Sequence, residues 1–336
     1  MNTPLLSICI ATYNRANYIS ETLNSIISQL EDDVELLVVD GASTDDTEDI
    51  VRTYIDIDPR IRYVRLPVKG GVDQDYCIAV DLATGEYCWL FTDDDVMKHG
   101  AIETILSLIR NHKQYSVIVV NAALYSRDLA HPYKDKILNI LTNQEYTTIS
   151  EDQNKFFKNT ASYLSFIGCL IIQRQLWNKR SKKKYLGTEF IHVGVIFQEP
   201  IPGNILVIAK PYISIRLNNS QWNNRALKIW LICWPQLIWS FTQYSENLRR
   251  CICPKYPSMQ LWKLLYYRAM DSYSVKEYYE YIKPYSNASW SKIPAQIIAS
   301  IPGVFANLFL ILYATIRHRR WMVIELKSSK YYYRNK

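Results

Sequence analysis

Two hydrophobic periods alternate along the first 125 positions of the chain. Residues 6–11 form a continuous apolar run of strand type, and Ile19, Leu23, Ile26, Ile27 and Leu30 then recur at helical spacing. Residues 35–39 predict a second strand, closed by Asp40 and Gly41. Ile50, Val51 and Tyr54 make one face of a second helix, whose first turn carries Asp45, Asp46 and Glu48 as the helix dipole favours. A strand over 61–66, a helix over 76–83, a strand over 87–91, a helix over 102–109 and a strand over 116–120 follow. Strands and helices in alternation with short links predict an α/β fold, a doubly wound and mostly parallel sheet. Ligands of such sheets bind outside the carboxyl ends of the strands. Positions 12–15, 40–44 and 93–95 all fall there.

The middle of the chain is mixed. A strand-like run at 168–172 leads to Arg174 and Trp177, a basic loop at 179–184, a turn entering a helix within 186–198, and a strand at 211–215. From about 218 the pattern is helical and rich in aromatic residues. Residues 229–244 carry no charge, with Pro235 as an interruption. Residues 293–316 also lack charge and are broken by Pro294, Pro302 and Gly303. Their clean apolar part, 304–316, is shorter than the ~20 residues a bilayer span needs. The expectation is an interfacial or re-entrant segment, with a buried core helix and a full span as alternatives. Three regions result: an α/β catalytic domain over 1–216, a helical aromatic-rich extension over 217–292, and an apolar membrane-associating segment with a basic tail over 293–336.

Charge sharpens the last assignment. The net charge of +7 is concentrated in 317–336, where Arg317, Arg319, Arg320, Lys327, Lys330, Arg334 and Lys336 face one acid, Glu325. The tail holds +6 and everything before it +1, which disfavours a nucleic-acid-binding face and matches an anionic membrane surface. The flank Arg317-His318-Arg319-Arg320 fits a cytoplasmic side. Seven cysteines, odd in number and mostly inside apolar runs, read as buried thiols of a reducing compartment. Cys251 and Cys253 lack a second pair for a zinc site. No secretory signal is expected, because 5–11 has no basic flank and belongs to the first strand.

The candidate chemistry centres on Asp93-Asp94-Asp95, at the end of an apolar strand. Three adjacent carboxylates repel one another, and burial adds to the cost. A hard divalent cation, Mg²⁺ or Mn²⁺, would relieve it and bridge to substrate phosphates. A solvated acidic turn before the helix at Gly100 is the plainer alternative. Thr12, Asn14 and Arg15 offer donors. Asp40 can accept from a nucleobase or ribose, and Gly41, Ala42, Ser43 and Thr44 are small enough to leave room for it. Together these describe a nucleotide-diphosphate site. No G-x-G-x-x-G follows the first strand and no P-loop is present, so Rossmann dehydrogenases and P-loop enzymes are disfavoured.

At these residues the chain resembles the family 2 glycosyltransferases of the GT-A fold. The matching stretches are SICIATYNRANYISETLNSI, LLVVDGASTDDTEDIV, KGGVDQDYCIAVDLATGEYCWLFTDDD, IGCLIIQRQLW and GTEFIHVGVIF, spread over roughly 4–216. Within the family it looks most like bacterial abequosyltransferase-type enzymes of O-antigen synthesis, which implies a deoxy- or dideoxyhexose donor. The resemblance implies that Thr12, Asn14 and Asp40 line the nucleotide pocket and that Asp73 and Asp75 lie beside base, ribose or sugar, with helix capping as their plainer role. It implies that Asp95, with Asp93 or Asp94, holds Mn²⁺ or Mg²⁺ on the diphosphate, although Thr92 stands where the family more often has an acid.

Inverting members carry an acidic pair where this chain has Thr188-Glu189, leaving Glu189 as candidate base. His192, three residues on, is expected on the same helical face as Glu189, as metal ligand, diphosphate donor, alternative base or ordinary surface histidine. Arg216 is either a cation for the leaving diphosphate or a surface charge. The resulting expectation is a non-processive, metal-dependent transferase at the cytoplasmic face of a bacterial inner membrane. It would move a sugar from a nucleotide diphosphate to a polyprenyl-diphosphate-linked oligosaccharide. No Q-x-x-R-W motif or set of long spans supports a processive synthase. A sugar-nucleotide pyrophosphorylase would need a Gly-rich basic loop where Thr12-Tyr13-Asn14-Arg15 stands. A non-catalytic subunit is suggested only by Thr92 and Thr188.

Overall fold

The apolar runs become the strands of one ten-stranded sheet, in a computed structural model that describes residues 3–111, 115–217, 219, 225–287 and 289–333. In chain order the elements are β1 (Leu6–Thr12), α1 (Ile19–Ile27), β2 (Val34–Asp40), α2 (Thr47–Ile55), β3 (Ile61–Arg65), α3 (Val72–Leu82), β4 (Tyr87–Phe91), β5 (Val96–Met97), α4 (Ala101–Arg110) and β6 (Tyr115–Tyr125). There follow β7 (Pro132–Lys134), β8 (Gln144–Tyr146), α5 (Ser150–Thr160), β9 (Leu170–Gln173), α6 (Arg174–Lys179), α7 (Ile191–Phe197) and β10 (Asn204–Arg216). All residues of β2 and β4 are buried, which is why β4 reads as an unbroken apolar run and β2 as one between Glu35 and Asp40. Helix α1 buries Ile19, Leu23 and Ile26, the 3.6-period stripe, and α3 packs on β1 and β2.

Strand order is β3-β2-β1-β4-β9-β6-β10-β5. Strands β3, β2, β1 and β4 run parallel, with Thr12 opposite Asp40 and Ile10 opposite Phe91. The winding reverses between β1 and β4, the position at which sheets of this kind bind ligands. Several boundaries differ from the periodic reading. Helix α3 begins at Val72, not 76, which brings Asp73 and Asp75 into its first turn. Gly168 and Cys169 form a short 3₁₀ turn before β9, and β9 is inserted antiparallel between β4 and β6. The run at 211–215 is only the second half of the long strand β10.

The chain divides into two units, 1–219 and 220–336. Among the described residues the second is helical. Pro235, expected as an interruption, lies inside a continuous helical stretch, directly after the π-helical residues Ile229–Cys233, where the wider turn accommodates its missing N–H. Pro294, expected as a break, lies inside the helix Ser289–Ser300; the interruption comes instead at Ile301 and Pro302. Beyond it runs Gly303–Ile316, bent by 101° from its predecessor. Among the described residues no single helix is long and apolar enough to cross a membrane, although this bent pair passes by length and composition together.

Gly303–Ile316 is turned inside out relative to an ordinary core helix. Ala306, Leu310 and Ala314 are buried at i, i+4 and i+8, against Ala269, Met322 and Leu326. The larger Phe305, Leu308, Phe309, Leu312 and Ile316 are exposed. Of the basic tail, Arg334 and Lys336 lie outside the described residues.

Candidate active site

Asp40 ends β2 with its carboxylate fully buried. Its Oδ1 accepts from the Ser43 backbone N–H at 2.7 Å, and its Oδ2 from the Tyr63 hydroxyl at 2.6 Å. The turns after β1 and β2 are tied together. The Asn14 N–H donates to Ser43 Oγ at 2.9 Å, and the Thr44 N–H donates to Asn14 Oδ1 at 2.7 Å. Asn14 and Ala42 take left-handed φ of 52° and 66°. For alanine that backbone costs on the order of 1 kcal/mol, a strain typical of functional turns. A Cβ at Gly41 would sit 2.7 Å from Asp75 Oδ2, so only glycine lets that carboxylate approach the turn. Asp75 is buried, and its Oδ1 has no hydrogen-bond partner among the described residues. Burial pushes its carboxyl up to about 6, with Lys69 opposing the rise and Asp40 adding to it.

The acidic triplet follows β4, on the other side of β1 from Asp40. Asp93, Asp94 and Asp95 are all buried. Burial pushes each carboxyl upward, Asp94 most strongly because Asp95 and Asp93 add their repulsion, and Asp95 to about 6. Arg15 meets Asp93 Oδ1 with its Nε at 3.2 Å and Asp94 Oδ2 with Nη2 at 2.9 Å. Asp95 is held by others: the Thr92 hydroxyl donates to Oδ2 at 2.7 Å and the Arg216 N–H to Oδ1 at 2.9 Å. Among the described residues no three His, Cys, Asp or Glu side chains are gathered as a metal cluster. The donor set nevertheless fits a hard cation, being three adjacent buried carboxylates whose charge is met here by a guanidinium. A solvated acidic turn does not describe them.

Glu189 stands on the turn before α7, half-buried, at a φ of 68°. Its N–H donates to Asp73 Oδ2 and the Ile191 N–H to Asp73 Oδ1, both at 2.9 Å. Asp73 therefore caps α7 from across the fold and positions the Glu189 turn, which matches the capping role that was its plainer expectation. Burial raises its carboxyl to about 6 against those two donors.

The expectation that His192 shares a helical face with Glu189 fails, because α7 starts at Ile191 and Glu189 lies outside it. Nor is His192 a surface group. It is fully buried, Nε2 lies 2.5 Å from the Leu164 carbonyl oxygen, and burial pulls its pKa down to about 4. It is a neutral core histidine at pH 7.

Arg216, expected as a phosphate cation or a surface charge, is buried. Its Nε donates to the Asp94 carbonyl at 2.6 Å, Nη1 to the Arg127 carbonyl at 2.9 Å, and Nη2 to Glu21 at 2.7 Å. It braces the triplet from β10. Three residues that bear on the site escaped the sequence reading as contributors. Tyr63 holds Asp40, Thr92 orients Asp95, and Lys69 lies 3.4 Å from the centre of the Tyr13 ring.

The glycosyl transferase family 2 profile matches residues 7–176, just over half of the chain. Abequosyltransferase RfbV of Salmonella typhimurium is 28% identical over 259 residues, 73% of this chain and 77% of that protein. The GalNAc(5)-diNAcBac-PP-undecaprenol beta-1,3-glucosyltransferase of Campylobacter jejuni is 26% identical over 188 residues, 55% of this chain and 57% of that protein. Among solved structures, S. aureus TarS 1-349 in complex with UDP superposes with a TM-score of 0.59 at 18% identity, covering 96% of this chain and 88% of that one. That superposition supports the GT-A fold. The switch of winding between β1 and β4 and the family match lead to one assignment: the chain belongs to glycosyl transferase family 2 and is a glycosyltransferase.

Proposed function

We propose that this glycosyltransferase transfers a single sugar from a nucleotide diphosphate to a hydroxyl of a lipid-linked oligosaccharide, in O-antigen or surface-polysaccharide synthesis. The observation that carries the donor half is the buried triplet after β4, beside the switch of the sheet and across β1 from the Asp40 turn. The acceptor half is supported by the Campylobacter relative, whose name carries a PP-undecaprenol oligosaccharide, and the abequosyltransferase likeness favours a deoxyhexose.

In this reading the nucleoside lies over the small residues Gly41, Ala42 and Ser43. Asp40 is fixed there by Tyr63, and the open Oδ1 of Asp75 accepts from base or ribose. Thr12, Asn14 and Arg15 border the diphosphate. Asp95, with Asp93 and Asp94, would hold Mn²⁺ or Mg²⁺; when bound, the cation supplies positive charge to the leaving diphosphate. Glu189 takes the proton of the acceptor hydroxyl. Its turn is pinned by Asp73, so the carboxylate is placed by backbone rather than left on a mobile loop. The exposed face of Gly303–Ile316, with Arg317, Arg319 and Arg320 after it, supports seating on an anionic membrane where a polyprenyl-linked acceptor resides.

The test is a thermal-shift screen against UDP-, CDP-, GDP- and dTDP-sugars, each with Mn²⁺ and with EDTA. A ligand of the native state raises the melting temperature by mass action. One nucleotide should stabilise only with metal and not in Asp95→Ala. Glu189→Gln should keep that shift while turnover falls at least about a hundredfold, the usual weight of a general base. No shift with any nucleotide would overturn the donor assignment.

A further inference from the structure

The acidic triplet already carries a cation supplied by the chain itself. Arg15 reaches it from the turn after β1, with Nε on Asp93 and Nη2 on Asp94. Its Nη1 donates to the Asn219 carbonyl at 3.0 Å, and Asn219 Nδ2 donates to Asp94 Oδ2 at 2.9 Å. The opposite side is fixed: Thr92 and the Arg216 N–H occupy both oxygens of Asp95, and Arg216 Nε takes the Asp94 carbonyl. Among the described residues Arg15 is the one side-chain cation in contact with the Asp93 and Asp94 carboxylates.

We propose that Arg15 is the exchangeable counter-ion of Asp93 and Asp94, displaced from them by the divalent cation and then paired with the donor's diphosphate. This rests on the donor reading above. Two arguments support the exchange. A divalent cation on these carboxylates needs the oxygens that Arg15 now holds, and two cations on the same lone pairs repel. Buried carboxylates left without any counter-charge are strongly disfavoured, so the empty site needs a cation of its own. The planar guanidinium fork suits carboxylate and phosphate equally, so one side chain can serve both states. Arg15 then has two tasks in sequence: it pairs with and spaces the Asp93 and Asp94 carboxylates before the donor arrives, and it grips the diphosphate afterwards.

The experiment is direct Mn²⁺ titration of the full chain without nucleotide, at pH 8, reading free Mn²⁺ by electron paramagnetic resonance. Wild type, Arg15→Met and Arg15→Lys are compared, with far-UV circular dichroism confirming that each is folded. Loss of the competing charge should tighten Mn²⁺ binding in Arg15→Met by about tenfold, a modest value for one close charge pair. Arg15→Lys should stay near wild type. With Mn²⁺ saturating, Arg15→Met should bind the nucleoside diphosphate more weakly by a similar factor. Equal or weaker Mn²⁺ binding in Arg15→Met would overturn the exchange while leaving the donor reading standing. Failure of all three proteins to bind Mn²⁺ would overturn the metal site itself and the exchange with it.

Discussion

At the scale of single residues, the site stores cost where the ligand is expected to repay it. Asp75 shows this most clearly, being a buried carboxyl with an unpartnered oxygen held at about 6 by desolvation. In the unfolded chain the same group titrates near about 3.9. Between those values the folded state binds the extra proton, so stability falls as pH rises through the window. Above about 6 the ionised group is a standing penalty on the folded state. Asp75→Asn keeps the shape and removes the charge. Its urea midpoint should exceed that of wild type at pH 7.5 and match it at pH 4, and nucleotide binding should weaken. Equal midpoints at both pH values would show that burial at Asp75 carries no such cost. A gain in stability paired with a loss of binding is the signature of a group kept for its ligand.

At the scale of elements, the periodic pattern made β1, β2, β4 and α4 legible to within a residue and α1 to within three, because each buries a complete face or stripe. What stayed hidden depended on partners distant in sequence. The antiparallel entry of β9 between β4 and β6 is a pairing choice that no local period encodes. The start of α7 is set by Asp73, more than a hundred residues upstream, so spacing alone placed Glu189 and His192 on a helical face they do not share. The triplet and Asp40 were readable because charged residues at the ends of apolar strands stand out. Thr92, Tyr63 and Arg216 were not readable as supports, since a hydroxyl or guanidinium becomes one only when its partner is known.

The same geometry sets a prediction for α7. Asp73→Ala removes both acceptors at its first turn and should cost about 1–2 kcal/mol, the usual worth of a lost N-terminal cap. With the Glu189 turn loosened, kcat should fall while KM for the donor holds. A raised donor KM at unchanged kcat would instead place Asp73 against the donor.

At the scale of the whole molecule, the second unit presents an apolar surface whose magnitudes favour a lipid surface over water. Phe305, Leu308, Phe309, Leu312 and Ile316 lie on the outer face of one helix, and Phe305 and Ile316 are each 65% exposed. Burying such a side chain fully contributes about 1.5–3 kcal/mol, so even partial insertion of five outweighs the flanking charges. Arg317, Arg319 and Arg320 would add about 1 kcal/mol each at an anionic leaflet, and salt screens that part. Binding to phosphatidylglycerol vesicles should therefore weaken at 0.5 M salt without disappearing, and should be weaker on neutral phosphatidylcholine. The pair Phe309→Ser and Leu312→Ser should lose vesicle binding by more than about tenfold at low salt, since two apolar anchors exceed that factor together. The urea transition should be unchanged, because both side chains face outward and leave Ala306, Leu310 and Ala314 packed as before. If salt alone stripped the protein from vesicles, the basic flank would be the anchor and the apolar face idle. If the serine pair converted a dimer to a monomer without touching vesicle binding, a second copy of the chain would be what covers this face.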